Sequence, residues 1–306
     1  MSKVLCLNKK RKQMFRRLSI IAFISIATVG LVHAQDFSVG FKAGLNFSSL
    51  SGPSEVDDSG AELENYKLTT GFLFGGRFNV KLTDQFGVRA ELTYGQKGAE
   101  YSFDGQSYWV FPTEDASRVV RSTGNRSTVL KITNSYLELP LMAYARFGRV
   151  ELSGGVSVAA LISSRGTGEL IYSGETSGGE TVNPFTIVLD YNYFGDPLIR
   201  NGSDDVENRT LDGEIVEIPA SIDAYYEASQ NDTKFFNGLD LGLNAEIAFF
   251  LNQGLYIGLR GNYGLADVTK TEQDFSIVSL GNDNQVVLRD DKDRNISLLA
   301  SLGFSF

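Results

Sequence analysis

Two chemically versatile side chains are almost missing: the 306 residues include one cysteine, Cys6, and one histidine, His33. Both lie in a leader-like N-terminus. Lys9, Lys10, Arg11, Lys12, Arg16 and Arg17 precede the apolar run Leu18–Val32, which is followed by His33-Ala34-Gln35. That layout predicts a secretory signal peptide over residues 1–34, cleaved after Ala34 or Gln35. The run of about 15 residues falls short of the roughly 20 that a spanning helix requires. Cys6 precedes it and so cannot be a lipid-modified first residue. A chain without residues 1–34 has neither thiol nor imidazole. This excludes a cysteine nucleophile, a disulfide, a histidine base and a His/Cys metal centre, so no catalytic residue, metal ligand or cofactor is expected.

Positive charge is also scarce. Removing residues 1–34 takes away seven basic and no acidic residues, leaving 21 Lys+Arg against 37 Asp+Glu, a net charge of −16. That sign argues against nucleic acid as a partner. A mean hydropathy of −0.10 with 21% charged residues argues against a helical membrane protein, and 32 glycines and 11% aromatics suit an all-β chain.

What is present is alternation. In Asn295–Phe306, Ile296, Leu298, Ala300, Leu302, Phe304 and Phe306 fall on one side and mostly polar residues on the other, the period of a strand with one apolar face. The same pattern marks Phe37–Phe47, Phe72–Leu82, Phe86–Tyr94, Leu137–Phe147, Val150–Ile162, Leu239–Phe249 and Leu255–Leu265. Tight turns near 83–85, 148–149 and 251–254 alternate with long connections near 49–70, 101–128, 165–236 and 267–294. An antiparallel up-and-down transmembrane β-barrel sorts short turns and long loops onto opposite rims, whereas a Greek-key sandwich does not. Aromatics fall at both ends: Phe37, Phe86, Phe147, Phe249 and Phe306 at the short turns, Phe47, Phe72, Tyr94 and Tyr263 at the long loops. Two such girdles frame a lipid-facing band. Residues 35–306 are therefore expected to form one barrel domain in the outer membrane. Eight strands are expected, with ten as the alternative, and both mature termini periplasmic.

Phe41-Lys42-Ala43-Gly44-Leu45-Asn46-Phe47, Tyr136-Leu137-Glu138-Leu139-Pro140-Leu141 and Leu241-Gly242-Leu243-Asn244-Ala245-Glu246 resemble strands of the PorT-type family of small outer-membrane β-barrels from Gram-negative bacteria. The resemblance covers the strands and not the loops. It implies fold and location, and an accessory role in secretion-system assembly as one possible activity. Likeness to outer-membrane barrels also implies that Leu302, Phe304 and Phe306 form a C-terminal signal read by the barrel-assembly machinery.

The inward positions carry charge. Lys42, Arg77, Lys81, Arg89, Arg146 and Arg260 face Glu91, Glu138, Glu151, Asp240 and Glu246. Buried charges must be paired, and an eight-stranded barrel is just wide enough for side chains to fill. A salt-bridged plug is the first expectation and a narrow ion path the alternative. Glu91 and Glu138 as an acid–base pair are disfavoured because Arg89 or Arg260 would keep both ionised.

The stretch 165–234 holds 14 acidic and four basic residues, read as a solvated loop insertion at about 165–236. Asp57-Asp58, Asp204-Asp205 and Asp290-Asp291-x-Asp293 offer carboxylates to Ca²⁺ without the spacing of a dedicated loop. Phe185–Tyr193 and Ile215–Ile222 are β-like. They are expected to pair as a hairpin above the membrane, or to add two strands. Trp109 is a recognition residue if exposed, and is otherwise packed under the third loop. The expectation is a non-enzymatic barrel whose extracellular loops serve surface recognition, adhesion or envelope integrity. Expected partners are outer-membrane lipid, lipopolysaccharide and an extracellular or envelope protein. Envelope biogenesis is the second reading and a small channel the third.

Overall fold

The structure, a computed structural model, describes residues 37–113, 118–199, 202–228, 232–281, 285–289 and 291–306. The expected signal peptide and Asp290 lie outside the described residues. The strands are β1 (Phe37–Ser51), β2 (Glu64–Lys67), β3 (Thr69–Lys81), β4 (Phe86–Pro112), β5 (Val119–Phe147), β6 (Val150–Thr176), β7 (Thr181–Asn192), β8 (Val206–Leu211), β9 (Glu214–Pro219), β10 (Ser221–Ile222), β11 (Leu239–Phe250), β12 (Leu255–Gly264), β13 (Phe275–Leu280), β14 (Val286–Leu288) and β15 (Arg294–Ser305).

Eight of them close a ring in the order β1-β3-β4-β5-β6-β11-β12-β15 and back to β1, each pair antiparallel. Closure removes the edges an open sheet exposes, and β15 is paired on both sides, Phe304 with Phe41 and with Leu255. The ring is eight-stranded, not ten. Strict alternation gives each strand one inward and one outward row. Leu45, Phe74, Leu92, Leu141, Val156, Leu243, Leu259 and Leu298, one from each ring strand, are 45–53% exposed on the outside. So broad an apolar belt is untenable in water and suits lipid.

Local chemistry sets the short turns. Gly148 takes φ +61° in the two-residue turn between β5 and β6, a conformation open to glycine at little cost. Asn252 Oδ1 accepts from the amides of Gly254 and Leu255 at 2.9 and 2.7 Å, and Thr83 Oγ1 accepts from Phe86 N at 3.0 Å.

The long-loop end departs from the expectation. β4, β5 and β6 are 27, 29 and 27 residues long, against the roughly 9–11 a membrane needs. Residues 101–112, 119–128 and 165–176, within stretches expected as loop, continue these strands and build a distal lobe. At Ile162 and Ser163 two successive β6 residues are exposed, and the pairing shifts opposite Ser135/Tyr136. This bulge switches the inward row from odd to even numbers and turns Leu170 and Tyr172 into the lobe. β7 lies on β6, β9 pairs with β8, and β10 runs parallel to β7. Phe185–Tyr193 and Ile215–Ile222 therefore do not form a hairpin with each other. They extend the structure above the ring and leave its strand number unchanged.

The lobe has its own core, including Trp109, Phe111, Leu130, Leu170, Tyr172, Phe185, Ile187, Val216 and Tyr225. Each buried large side chain stabilises by about 1.5–3 kcal/mol. Trp109 is 2% exposed and packs on Phe185, Tyr172 and Tyr226, so it is core rather than an exposed recognition residue.

Candidate functional site

Lumen side chains stack in layers because inward residues of one strand are two apart. Along β4 the inward row runs Arg89, Glu91, Thr93, Gly95, Lys97 from the short-turn end upward. The middle layer ties β1, β4, β11 and β12 together across the lumen. Lys42 Nζ lies 2.7 Å from Glu91 and 3.2 Å from Glu246, and Arg260 Nη2 lies 2.7 Å from Glu91 and bridges Glu246. Below it, Arg77 reaches Glu151 at 3.3 Å, Arg89 bridges the same carboxylate, and Asn79 Oδ1 accepts from Arg89 Nε at 2.7 Å. Arg77 also lies over the ring of Tyr256 at 4.5 Å. That ring fills the space a side chain at Gly303 would take.

Above the middle layer, Lys97 Nζ lies 3.3 Å from Glu138 and 3.9 Å from Asp240 and donates to Asn262 Oδ1 at 3.0 Å. The apolar alternation does not mark Lys97, because Gly95-Gln96-Lys97-Gly98 breaks it. Its parity with Arg89 and Glu91 is the signal that finds it. The buried lumen then balances: Lys42, Arg77, Arg89, Lys97 and Arg260 against Glu91, Glu138, Glu151, Asp240 and Glu246.

Two expected members sit elsewhere. Arg146 lies at the short-turn mouth with its guanidinium 3.6 Å from the centre of the Phe250 ring and Nε donating to Gly148 O at 3.4 Å. Lys81 is outside the layers, 2.9 Å from Asp84. Both line a vestibule of about 440 Å³ below the layers. Glu91 and Glu138 fall in different layers with different cations, an arrangement for charge pairing and not for proton transfer between them.

A second cavity, of about 160 Å³, lies in the distal lobe. Leu50, Leu130, Ile132, Leu189 and Ala224 contribute apolar wall, and Tyr66, Tyr101, Tyr191, Tyr193, Phe235, Phe236 and Phe275 contribute rings. Arg126 is clamped bidentately by Glu227 at 2.8 and 2.6 Å. Arg289 donates to Glu64 at 3.0 Å and pairs with Asp291 at 2.6 Å, while Tyr101 Oη donates to Glu64 at 2.9 Å. Asp293 accepts from Thr269 Oγ1 at 2.6 Å. Burial, then the hydrogen bond and charge of Asp291, pushes Asp274 up to about 8, and burial raises Asp293. The sequence placed these residues in separate loops, and the fold brings them to one wall.

Of the acidic groups offered to Ca²⁺, Asp57 serves its own turn. Asp57 Oδ1 accepts from Ser59 N, Ser59 Oγ and Ala61 N at 2.8, 2.6 and 2.9 Å. Among the described residues no group of three or more His, Cys, Asp or Glu is placed to hold a metal ion.

Solved structures similar to this chain include three outer-membrane or surface proteins. Ail, the attachment invasion locus protein of Yersinia pestis, crystallised with the heparin analogue sucrose octasulfate, is 10% identical with TM-score 0.35 over 89% of this chain and 99% of Ail. OprG from Pseudomonas aeruginosa is 10% identical, with TM-score 0.32 over 88% of this chain and 95% of its own. Neisserial surface protein A is 12% identical, with TM-score 0.28 over 89% of this chain and 97% of its own. No protein of curated function matches the chain. Residues 33–270 match the family described as the outer membrane protein beta-barrel domain, to which this chain belongs.

Proposed function

We propose that the protein is a non-enzymatic, non-conducting outer-membrane barrel that anchors its distal lobe on the outside of the cell for surface recognition, adhesion or envelope integrity. The observation that carries this reading is the division of the chain. The lumen is packed with paired charges, while the long-loop end builds a core of its own. In this reading residues 1–34 direct export, and the short turns and both mature termini face the periplasm. The acidic balance of 165–234 sets the lobe against polyanionic ligands.

Planar bilayers containing the purified barrel are expected to show no steady single-channel steps, because the layers from Arg77 up to Lys97 occupy a bore with room for little but side chains. Reproducible steps would overturn the plug and favour a channel.

The resemblance to PorT-type strands and the 440 Å³ vestibule support a second reading, an accessory of envelope biogenesis that docks a partner at the short-turn end. Deleting residues 177–236 separates the two. Lost surface binding with normal secretion favours the first reading, and the reverse favours the second.

Leu302, Phe304 and Phe306 are proposed as the stretch read by the barrel-assembly machinery. They lie on the lipid side of the β15–β1 seam, where the rings of Phe304 and Phe306 are 5.0 Å apart and that of Phe41 is 6.3 and 6.2 Å from them. The double variant Phe304→Ala/Phe306→Ala is expected to lower the heat-modifiable barrel recovered in the outer membrane, with export across the inner membrane unchanged. Undiminished recovery would remove the assignment.

A further inference from the structure

The cavity in the distal lobe has a size, a lining and a charge that together define a ligand class. At about 160 Å³ it is comparable to an apolar protein cavity of about 150 Å³ that takes up benzene. Rings flank it on two sides, Tyr66 and Tyr101 with centroids 5.3 Å apart and Tyr193 and Phe236 with centroids 4.7 Å apart. Aromatic faces attract cations, more so where water is excluded. The charges of the lining do not balance. Two guanidiniums, Arg126 and Arg289, share it with four carboxylates, Glu64, Glu227, Asp274 and Asp293.

Both guanidiniums are already engaged. Arg126 is held bidentately by Glu227, and Arg289 is held by Glu64 and Asp291. An entering anion would have to break one of these pairs and would also meet the surplus acids. Asp274 stands 4.0 Å from Arg289 Nε. Burial and then the neighbouring Asp291 raise its carboxyl, so at neutral pH it holds a proton that an incoming ammonium would favour releasing. Half-buried Phe235, Asp274, Phe275 and Arg289 form the outer lip.

We infer that this cavity binds a small organic cation with a compact apolar or aromatic body, of the arylalkylammonium class. Its ring lies among the tyrosines and its ammonium points toward Asp274 and Asp293. The inference rests on reading the lobe as the protein's working surface.

The test uses the full-length barrel refolded in detergent and three probes of similar size: benzylammonium, benzyl alcohol and benzoate. Binding is followed by calorimetry and by the fluorescence of Trp109, the sole tryptophan, whose ring lies 5.7 Å from the Arg126 guanidinium. Benzylammonium is expected to bind about tenfold tighter than benzyl alcohol, equivalent to about 1.4 kcal/mol, with benzoate weaker still. Ala224→Phe, which fills the wall, abolishes binding of all three probes. Asp274→Asn narrows the preference for the cation over the alcohol, and it decides the matter should Ala224→Phe fail to fold. Equal affinity for the three probes, a preference for benzoate, or no response to benzylammonium overturns the inference. A non-conducting barrel that ignores benzylammonium refutes the ligand class and leaves the anchor reading standing. A conducting barrel that binds benzylammonium does the opposite.

Discussion

Glu246→Ala is expected to lower the unfolding free energy of the barrel by about 3–5 kcal/mol, the cost of stripping one partner from a buried ion pair. Glu246 is the hinge of the middle layer. It lies 3.2 Å from Lys42 and 3.6 Å from Arg89 and bridges Arg260, and its side chain is 1% exposed. Without it four cations, Lys42, Arg77, Arg89 and Arg260, share Glu91 and Glu151 in a space with little water to solvate them. Urea unfolding of the barrel in detergent, read by loss of the heat-modifiable band, measures the effect. Arg118→Ala serves as the contrast. Its pair with Glu214 at 3.1 Å is solvent-exposed, and such pairs contribute at most about 1 kcal/mol. Similar losses in the two variants would mean that the lumen charges are screened by water, and the plug would then be untenable.

The second large effect lies on the opposite face of the same strand. Leu243 points outward midway between Leu239 and Phe249 and is 47% exposed. An arginine there must sit near the bilayer midplane, at a cost of about 2–4 kcal/mol, falling to about 0–1 kcal/mol near the interface. Leu243→Arg is therefore expected to destabilise the barrel in lipid vesicles far more than Leu239→Arg. Both substitutions are expected to have similar, small effects on the soluble lobe, monitored through Trp109 fluorescence. Equal destabilisation at the two depths would contradict a membrane band centred near Leu243.

The outer and inner faces of the barrel differ in how far local sequence encodes them. The outward row was legible in the sequence, because period-2 apolarity is a local property of each strand and lipid demands it without interruption. The inward charges were legible as a set, because parity with Lys42 or Glu91 assigns a face. Their partners were not. Lys42 and Glu246 are 204 residues apart, and which carboxylate meets which cation depends on the stagger of the whole ring. Lys97 carries no mark of its face, because Gly95 and Gly98 flank it without an apolar side chain. Arg146 had the right parity but lies too near the short-turn mouth to enter a layer.

The long-loop end was the least legible. β4, β5 and β6 continue past the membrane with polar residues outside and a bulge at Ile162/Ser163, so their continuation looked like loop. Once strands leave lipid, the outward row is free to be polar and the sequence loses the contrast that marks them. By itself, the sequence determined a barrel of eight or ten strands with short turns at one rim, an apolar outer face and a charged inner one, and the pairing of the ring decided for eight. Only the tertiary structure decided that the upper strands fold over Trp109 and enclose a ring-lined cavity. That core is assembled from residues as distant as Tyr66 and Asp293, whose meeting no local pattern encodes.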